Sequence, residues 1–467
     1  SYKFAIESAK VLATYGIKSY IFESLRPTPE LSFAVRYLKC AGGIMITASH
    51  NPKEHNGYKV YDDTGCQLLP EAADQVVQYV NEVDDELNIK VFSDEEAYPY
   101  MTWIGEEVDE AYYKEVMAIE VNPGMDKKDF KIVFSPQHGT SNIAVRTCLT
   151  RLGYDIVPVL AQCAPDPDYT NTKSPNPEVD ASYELAIKLA KEVDADVVAI
   201  TDPDGDRLGV VAKHNGEYVL MSGNQSAAVY LEYILSQRKE KGTLPDNAVM
   251  YNTIVTSDLG ELVARNYGVD VEKTLTGFKF IGDKIRKYEK THEKQFIFGY
   301  EESYGCVVED FVRDKDAVQA VLLAAECGNY YKKQGKDLID VLNELYAKYG
   351  TFKESQIALA KAGAAGAARI KEMMDTLRQD KPTEIGGVKV VLSEDYATSE
   401  RSDGTTIDLP KSNVLKYYLE DGSWIAARPS GTEPKCKFYF SIKGKDAKDA
   451  ADKTEVFHKA MMELIGE

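Results

Sequence analysis

The sequence predicts a multidomain α/β protein, with three similar domains of mixed or mainly parallel sheet followed by a smaller α+β domain. The first observation is that apolar strands alternate with helix patterns in three successive blocks, typical of parallel α/β folds. The second is that this style changes beyond about residue 355. The third is the length of 467 residues, which accommodates about three or four domains of roughly 100–200 residues each.

The first block begins with a helix pattern from Phe4 to Tyr15, and Gly16 is a suitable residue just after its end. "IKSYIF" (17–22) reads as a strand, a helix follows "RPTP" (26–29), and the apolar run Ile44 to Ile46 reads as a buried strand. Because a parallel βαβ unit starts with a strand, we expect a further segment upstream of the first helix.

The second and third blocks repeat this order. The second contains the strand "KIVFSP" (131–136), a helix from about 143 to 152, the strand "DIVPVL" (155–160), a helix over 182–193 and the strand "DVVAITD" (196–202). The third contains the strands "NAVMYNTIV" (247–255), "VEKTLT" (271–276) and "QFIFGYEES" (295–303), with helices between them. Both blocks are therefore predicted to be α/β domains.

The final block is predicted to be different. An Ala-rich helix pattern covers 356–377 and includes "AGAAGAA" (362–368); "GGVKVVLS", "DGSWIAARPS" and "KCKFYFSI" then read as strands of an antiparallel sheet, and the last helix covers 446–465. We place the domain boundaries at 1–125, 126–245, 246–352 and 353–467.

Composition limits the classes of partner. The net charge of −20 argues against a nucleic-acid-binding protein, which usually has a basic face. We see no signal peptide and no apolar stretch near the ~18 residues that a membrane span needs. The seven cysteines are scattered without a CxxC pair, which suits a reducing, cytoplasmic location and gives no zinc signal. An anionic substrate would need local Arg, Lys or metal to offset repulsion.

The sharpest local motif is "TDPDGDRLG" (201–209), which follows an apolar strand. It places Asp202, Asp204 and Asp206 at alternate positions, while Pro203 and Gly205 keep the backbone out of a helix. Three carboxylates that converge repel one another, and a divalent cation such as Mg²⁺ or Ca²⁺ resolves that repulsion. The spacing excludes an EF-hand. The alternative is a solvated acidic turn, which the adjacent Arg207 disfavours because a cation there suits a bound phosphate.

The segment "GIMITASHNP" (43–52) contains a second candidate functional residue, Ser49. Ser49 follows a strand, where α/β folds place chemistry, but it lacks the glycines of a G-x-S-x-G elbow. The neighbouring His50 does not by itself make a catalytic triad. Taken alone, Ser49 is better explained as a turn or capping residue, and a nucleophilic role depends on whether it reaches the aspartates.

Three further motifs have both a functional and an ordinary interpretation. "ARPSGTEPK" (427–435) offers Arg428, Ser430, Thr432 and Lys435 around Gly431 as an anion cradle, or it is a Pro-Gly turn. "GYEESYG" (299–305) could bind sugar hydroxyls or be a solvated loop. In "RDKD" (313–316), Asp314 or Asp316 could simply cap a helix. The signature of a P-loop kinase is absent.

Together these motifs resemble the α-D-phosphohexomutase family. "TASHNP", "DPDGDR", "GYEES" and "RPSGTEPK" occur in the family's order, and "RPTP", "SPNPE" (174–178) and "TGFK" (276–279) also look like family segments. The similarity covers nearly the whole chain. "ESYG" and "FVRDKDAVQA" look closest to the phosphoglucomutase and phosphopentomutase branch. The resemblance implies four domains around a central active-site cleft.

The resemblance also implies a site. It implies that Ser49 carries a phosphoryl group and that Ser49, Asp202, Asp204 and Asp206 hold one Mg²⁺. It further implies roles near the reacting groups or in binding the substrate, for Arg207, His50, Lys59, Lys315, Glu301, Ser303, Lys279, Arg428, Ser430, Gly431, Thr432 and Lys435. The first domain would then carry the phosphoserine, the second the metal site, the third the sugar site and the fourth the phosphate site.

The function that the resemblance implies is interconversion of glucose 1-phosphate and glucose 6-phosphate, with glucose 1,6-bisphosphate as intermediate and activator. Phosphomannomutase or phosphopentomutase activity remains open, because these sugars differ by a hydroxyl orientation or a carbon. A Mg²⁺-dependent sugar phosphatase and a phosphosugar-binding protein without turnover are further alternatives. The expected partner is a small phosphosugar, with no nucleic acid or membrane, and the chain could be a monomer or a dimer.

Overall fold

The structure, a computed structural model, describes residues 1–430 and 434–467. Its α-helices are α1 (Tyr2–Thr14), α2 (Thr28–Tyr37), α3 (Pro70–Asn81), α4 (Asp94–Ala97), α5 (Glu106–Met117), α6 (Asn142–Arg151), α7 (Glu184–Val193), α8 (Gly223–Glu240), α9 (Leu259–Asn266), α10 (Phe278–Thr291), α11 (Ala317–Lys332), α12 (Leu338–Tyr349), α13 (Gly363–Asp380) and α14 (Ala447–Leu464). Among these described residues, none of the helices combines the length and apolar character that crossing a bilayer requires.

The strands alternate with these helices over most of the chain, as predicted. They are β1 (Ser19–Phe22), β2 (Gly42–Ile46), β3 (Tyr58–Asp62), β4 (Met101–Ile104), β5 (Lys131–Ser135), β6 (Asp155–Pro158), β7 (Val197–Thr201), β8 (Leu208–His214), β9 (Glu217–Met221), β10 (Ala248–Thr253), β11 (Asp270–Thr274), β12 (Gln295–Tyr300), β13 (Cys306–Val307), β14 (Thr351–Ala360), β15 (Glu384–Ile385), β16 (Val388–Asp395), β17 (Glu400–Arg401), β18 (Leu415–Leu419), β19 (Trp424–Pro429) and β20 (Lys435–Gly444).

The described residues form two compact units. Unit 1 comprises Ser1–Asn252, Ala264–Glu272 and Gly277–Val341, and unit 2 comprises Thr253–Val263, Lys273–Thr276 and Leu342–Glu467.

Unit 1 begins with two small sheets. Strand β1 pairs with β4 in parallel, and β2 pairs with β3 in antiparallel register, with Ile46 opposite Tyr58. The predicted first helix is confirmed: α1 ends at Thr14, and Gly16 follows with a φ of 74°, a backbone conformation that glycine adopts without a Cβ penalty.

The next sheet of unit 1 has the strand order β6-β5-β7-β8-β9. Strand β5 is parallel to β6 and β7, but β7 is antiparallel to β8 and β8 to β9. The sheet is therefore mixed, which is the first of the two forms that the sequence predicted. The reason lies between Thr201 and Leu208, which pair directly: residues 202–207 form a short hairpin connection, whereas parallel neighbours need a long crossover.

The sheet with strand order β11-β10-β12-β13 is also mixed. Strand β10 is parallel to β12, whereas β12 and β13 are antiparallel and pair Tyr300 with Cys306. Every residue of β10 is buried, as expected of a strand covered on both faces. Thus β2, β7 and β12 each end just before a motif singled out in the sequence.

Unit 2 contains the antiparallel sheet predicted for the C-terminal block, with strand order β14-β20-β19-β18-β16-β15. The prediction of a helix starting at 356 is wrong, because residues up to Ala360 belong to β14, which pairs with β20 along its length. Ile357 and Leu359 alternate toward the core, a period of two that indicates a strand. Helix α13 begins at Gly363, so the Ala-rich run does lie in a helix.

Candidate functional site

The hairpin connection between β7 and β8, residues 202–207, brings three carboxylates together; we call it the aspartate loop. Asp202, Asp204 and Asp206 are buried, with at most 4% exposure, and each offers a carboxylate oxygen within 4.8 Å of those of the other two. Gly205 has a φ of 68°, and its amide donates to Asp202 O at 3.0 Å. The predicted convergence of the three aspartates on one point is therefore present.

The oxygens of the aspartate loop divide into two groups. Asp202 Oδ1 accepts the amides of Asp206 and Arg207 at 3.1 and 3.0 Å, so it holds the loop in shape. Asp204 Oδ1 and Asp206 Oδ1 are buried and accept no hydrogen bond from the described residues. Buried carboxylate oxygens normally have a partner, and hard oxygen donors suit Mg²⁺ or Ca²⁺. The loop therefore fits a divalent cation.

Ser49 lies against this loop. It follows β2 after Thr47 and Ala48, and its φ of 52° turns the chain at the strand end. Its amide donates to Thr47 Oγ1 at 2.8 Å, its hydroxyl donates to Asp202 Oδ2 at 2.8 Å, and its Oγ lies 3.1 Å from His50 Nδ1. The contact on which a functional interpretation of Ser49 depends is therefore made, across 153 positions of sequence.

Two lysines face the aspartate loop from other elements. Lys59 on β3 places its Nζ 3.0 Å from Asp204 Oδ2 and 3.5 Å from Asp206 Oδ2. Lys315 Nζ lies 3.2 Å from Asp206 Oδ2 and 3.3 Å from Asp314 Oδ1. Burial opposes the charge on both lysines, but the neighbouring carboxylates outweigh it and raise the pKa of each. Both are ammonium groups at neutral pH.

The pKa values of the three carboxyl groups in the aspartate loop shift in different directions. Burial and the charge on Asp206 raise the pKa of Asp204 to about 7, and the same two causes raise the pKa of Asp202. For Asp206, Lys315, Lys59 and Arg207 outweigh burial and hold its pKa well below the usual range. Carboxylates this close favour either a shared proton or a bound cation.

Arg207 and His50 complete the cluster. Arg207 Nη1 donates to Glu178 Oε1 at 2.9 Å, and its Nε lies 3.7 Å from Asp206 Oδ1. Burial, with the charge on Arg207, lowers the pKa of His50 to about 4. The imidazole is therefore neutral at physiological pH and offers a nitrogen that can accept a proton.

The residues predicted to bind sugar lie near the ends of β12 and β11. Glu301 directly follows β12, is buried, and accepts the amide of Gly277 at 2.8 Å. The negative charge on Glu301 contributes to raising the pKa of both Lys315 and Arg207. Ser303 lies partly buried in the turn before β13, and Lys279 lies partly buried in the first turn of α10. No contact joins Ser303 or Lys279 to the aspartates within the described part of unit 1.

The predicted phosphate cradle belongs to unit 2. Arg428 lies on β19 with its Nη1 3.4 Å from Tyr439 Oη, and Ser430 N donates to Lys435 O at 2.7 Å. Gly431 and Thr432 lie outside the described residues.

Several residues near the site carry roles that the motif analysis missed. Thr28 of "RPTP" and Glu178 of "SPNPE" contact Asp204 and Arg207 directly, although both segments were singled out only as family-like. The proposed cap in "RDKD" is Asp316, whose side chain accepts two amides of α11. Asp314 instead accepts the hydroxyl of Tyr61 at 2.7 Å.

This arrangement suits transfer of a phosphoryl group. A serine hydroxyl lies against a carboxylate cluster that fits a divalent cation, with two ammonium groups and a guanidinium beside it. Phosphoryl transfer depends mainly on positioning and on stabilising charge, and these are the groups that supply both.

Comparison with known protein families gives the same four-domain organisation over most of the chain. The family descriptions "Phosphoglucomutase/phosphomannomutase, alpha/beta/alpha domain" I, II and III match residues 1–87, 110–216 and 222–349, and the C-terminal domain of that family matches residues 365–457. The architecture is therefore three α/β domains with mixed sheets and a C-terminal domain.

Individual relatives extend this match. A phosphoglucomutase of Staphylococcus epidermidis is 40% identical over 448 residues, which cover 94% of this chain and 80% of the relative. A phosphoglucomutase of Staphylococcus aureus is 39% identical, covering 97% and 82% of the two chains. The solved structure of parafusin, a phosphoglucomutase of Paramecium, shares the fold with a TM-score of 0.72 at 20% identity, covering 99% of this chain and 86% of that one. The chain belongs to the phosphoglucomutase/phosphomannomutase family.

Proposed function

We propose that this chain is a phosphoglucomutase that interconverts glucose 1-phosphate and glucose 6-phosphate, with Ser49 as the carrier of the phosphoryl group. The observation that carries the proposal is the 2.8 Å hydrogen bond from Ser49 Oγ to the buried Asp202, inside a three-aspartate loop. Relatives at about 40% identity over most of the chain bear the name phosphoglucomutase, which supports glucose as the sugar.

The proposed metal ligands are Asp202, Asp204, Asp206 and an oxygen on Ser49. Bound there, Mg²⁺ supplies positive charge against the transferring phosphoryl group. The chain's own cations act on the same charge: Lys59 and Lys315 remain protonated beside the loop, and Arg207, oriented by Glu178, lies 3.7 Å from Asp206 Oδ1. Electrostatic groups fixed in advance cost no reorganisation during the reaction.

Each half of the reaction moves one phosphoryl group. In the first half, the bond from Ser49 Oγ to phosphorus breaks, and a bond forms from phosphorus to the free hydroxyl of the sugar monophosphate. The hydroxyl proton passes by way of the neutral imidazole of His50, whose Nδ1 lies 3.1 Å from Ser49 Oγ, to the departing serine oxygen. The product of this half is glucose 1,6-bisphosphate. In the second half the other phosphoryl group passes to Ser49 Oγ and the proton returns to the sugar oxygen.

Binding roles are proposed for the remaining residues. Glu301 and Ser303 would accept or donate hydrogen bonds to sugar hydroxyls, with Lys279 nearby in the chain. Arg428, Ser430, Gly431, Thr432 and Lys435 would hold the phosphate that is not reacting. We propose domain boundaries at 1–125, 126–245, 246–352 and 353–467, so that the phosphoserine, metal, sugar and phosphate functions fall in successive domains of a cytoplasmic enzyme.

The test is conversion of glucose 1-phosphate to glucose 6-phosphate with Mg²⁺, with and without catalytic glucose 1,6-bisphosphate. We expect turnover that rises with the bisphosphate, abolished in Ser49→Ala and unchanged in Ser8→Ala, a serine on α1 whose hydroxyl donates to Phe4 O. A panel with mannose 1-phosphate and ribose 1-phosphate tests the sugar.

The alternatives give different results. Release of inorganic phosphate independent of the bisphosphate would indicate a sugar phosphatase. Phosphosugar binding without turnover, equal in wild type and Ser49→Ala, would indicate a binding protein. A higher kcat/KM on mannose 1-phosphate or ribose 1-phosphate would refute glucose as the preferred sugar.

A further inference from the structure

We propose that Thr28 is a positioning residue for the cation site: its hydroxyl fixes the carboxylate of Asp204 so that one chosen oxygen faces the cation. The inference rests on the proposed function, because it takes the aspartate loop as a Mg²⁺ site. Thr28 belongs to "RPTP" (26–29) and is the first residue of α2.

Thr28 makes two hydrogen bonds to one residue. Its amide donates to Asp204 O at 2.8 Å, and its hydroxyl donates to Asp204 Oδ2 at 3.1 Å. The first amides of a helix have no partner within the helix, and here the amide of Thr28 is used on the aspartate loop. Pro27 and Pro29 have no N–H to offer. Thr28 is fully buried, so water does not compete for either bond.

The hydroxyl of Thr28 donates to an oxygen of Asp204 that a second side chain also contacts. Lys59 Nζ lies 3.0 Å from the same Asp204 Oδ2, so two donors fix that atom. Asp204 Oδ1 is buried and accepts no hydrogen bond from the residues that the structure describes. With Oδ2 held twice, the carboxylate cannot rotate without losing both bonds, and Oδ1 is the oxygen presented to a cation. Partners that orient metal ligands in this way typically change metal affinity by about 10–100-fold.

Close packing keeps "RPTP" against the loop. Gly205 has a φ of +68°, and a Cβ there would lie 2.8 Å from Pro27 Cβ. Thr140 anchors the same loop in a different way, since its amide and hydroxyl donate to Pro203 O at 2.8 and 3.0 Å. It has no hydrogen bond to a carboxylate of the loop. Thr140 is therefore a matched control that separates loop anchoring from ligand orientation.

The experiment is Mn²⁺ binding to the whole chain, followed by electron paramagnetic resonance of the free ion, in wild type, Thr28→Val, Thr28→Ser and Thr140→Val. Asp206→Ala serves as the blank, because His214, Asp337 and Asp340 form another group that could take the ion. We expect the Kd of Thr28→Val to rise at least about 10-fold, with Thr28→Ser and Thr140→Val close to wild type.

Each outcome decides one question. Equal affinity in Thr28→Val and wild type overturns the role of Thr28, as does an equal loss in Thr140→Val. A wild type that binds no more Mn²⁺ than Asp206→Ala overturns the cation site itself. If Thr28→Val does not fold, Thr28→Ser and Thr28→Ala replace it: both lack the methyl group and differ only in the hydroxyl, so the same tenfold difference is expected between them.

Discussion

Replacing Gly305 with alanine should disable the enzyme through one side chain, that of Lys315. A Cβ on Gly305 would lie 2.0 Å from Lys315 Cδ and 2.8 Å from its Cγ. Carbon atoms pack at about 3.5–4.0 Å, so the lysine chain must move by roughly 1.5 Å. The contact of its ammonium group with Asp206 Oδ2, now 3.2 Å, is lost in that movement.

The size of the effect follows from this displacement. A misplacement of about 1 Å can cost on the order of 100-fold in rate, equivalent to about 2.7 kcal/mol at the transition state. Gly305 does not have a positive φ, so alanine adds no backbone strain. Overpacking should lower the free energy of unfolding by about 1–3 kcal/mol, which leaves a folded protein to assay.

The assay is kcat/KM for glucose 1-phosphate in wild type, Gly305→Ala, Lys315→Ala and the double variant. We expect Gly305→Ala to lose about 100-fold and to cost nothing more in the Lys315→Ala background, because the clashing carbons are then absent. Wild-type activity in Gly305→Ala would refute the placement of Lys315. A further hundredfold loss in the double variant would show that Gly305 acts elsewhere.

Three more predictions concern charge. Burial and the nearby Asp109 carboxylate raise the pKa of Glu30 well above its usual value, so the stability of the protein falls as pH rises above the unfolded pKa of about 4.3. Glu30→Gln should therefore stabilise by about 1–3 kcal/mol at pH 8 and by less at pH 5 in urea unfolding. Mg²⁺ should raise the Tm of wild type by mass action and leave that of Asp204→Ala unchanged. Glu178→Gln should lower kcat/KM about 10-fold, because a charged partner no longer orients Arg207, while the Mg²⁺ dependence stays the same.

These predictions can each fail in a specific way. A stabilisation by Glu30→Gln that does not grow with pH would mean that Glu30 is ionised in the folded chain. A Tm increase with Mg²⁺ in Asp204→Ala would place the ion elsewhere. A wild-type kcat/KM in Glu178→Gln would show that Glu178 does not support catalysis by orienting Arg207.

The aspartate loop could be predicted because its information is local. A buried strand, alternate aspartates and a Pro-Gly interruption all lie within "TDPDGDRLG", and the loop's shape is set by bonds within it, such as that of Arg207 N to Asp202 Oδ1. The antiparallel direction of β8 was missed, although the short connection after Thr201 contains that information.

Contacts between distant segments could not be predicted from residue type. Thr28 and Asp204 are 176 positions apart, and Lys59 and Asp204 are 145 apart; only the folded sheets bring them together. Asp314 shows the same limit. Its position before a helix suggested a cap, but its carboxylate accepts a hydrogen bond from Tyr61, which is 253 positions away in the sequence. The helix predicted from 356 failed because Ala-rich composition outweighed the alternation of Ile357 and Leu359 in the sequence interpretation.

The most direct test of the central claim is the site of phosphoryl transfer. Wild type and Ser49→Ala would be incubated with glucose 1,6-bisphosphate and Mg²⁺, and the intact mass and the modified residue determined by mass spectrometry. We predict one phosphoryl group on wild type, located on Ser49 and removed by added glucose 6-phosphate, with none on Ser49→Ala. A phosphoryl group on another residue, or an equal gain in Ser49→Ala, would contradict the account.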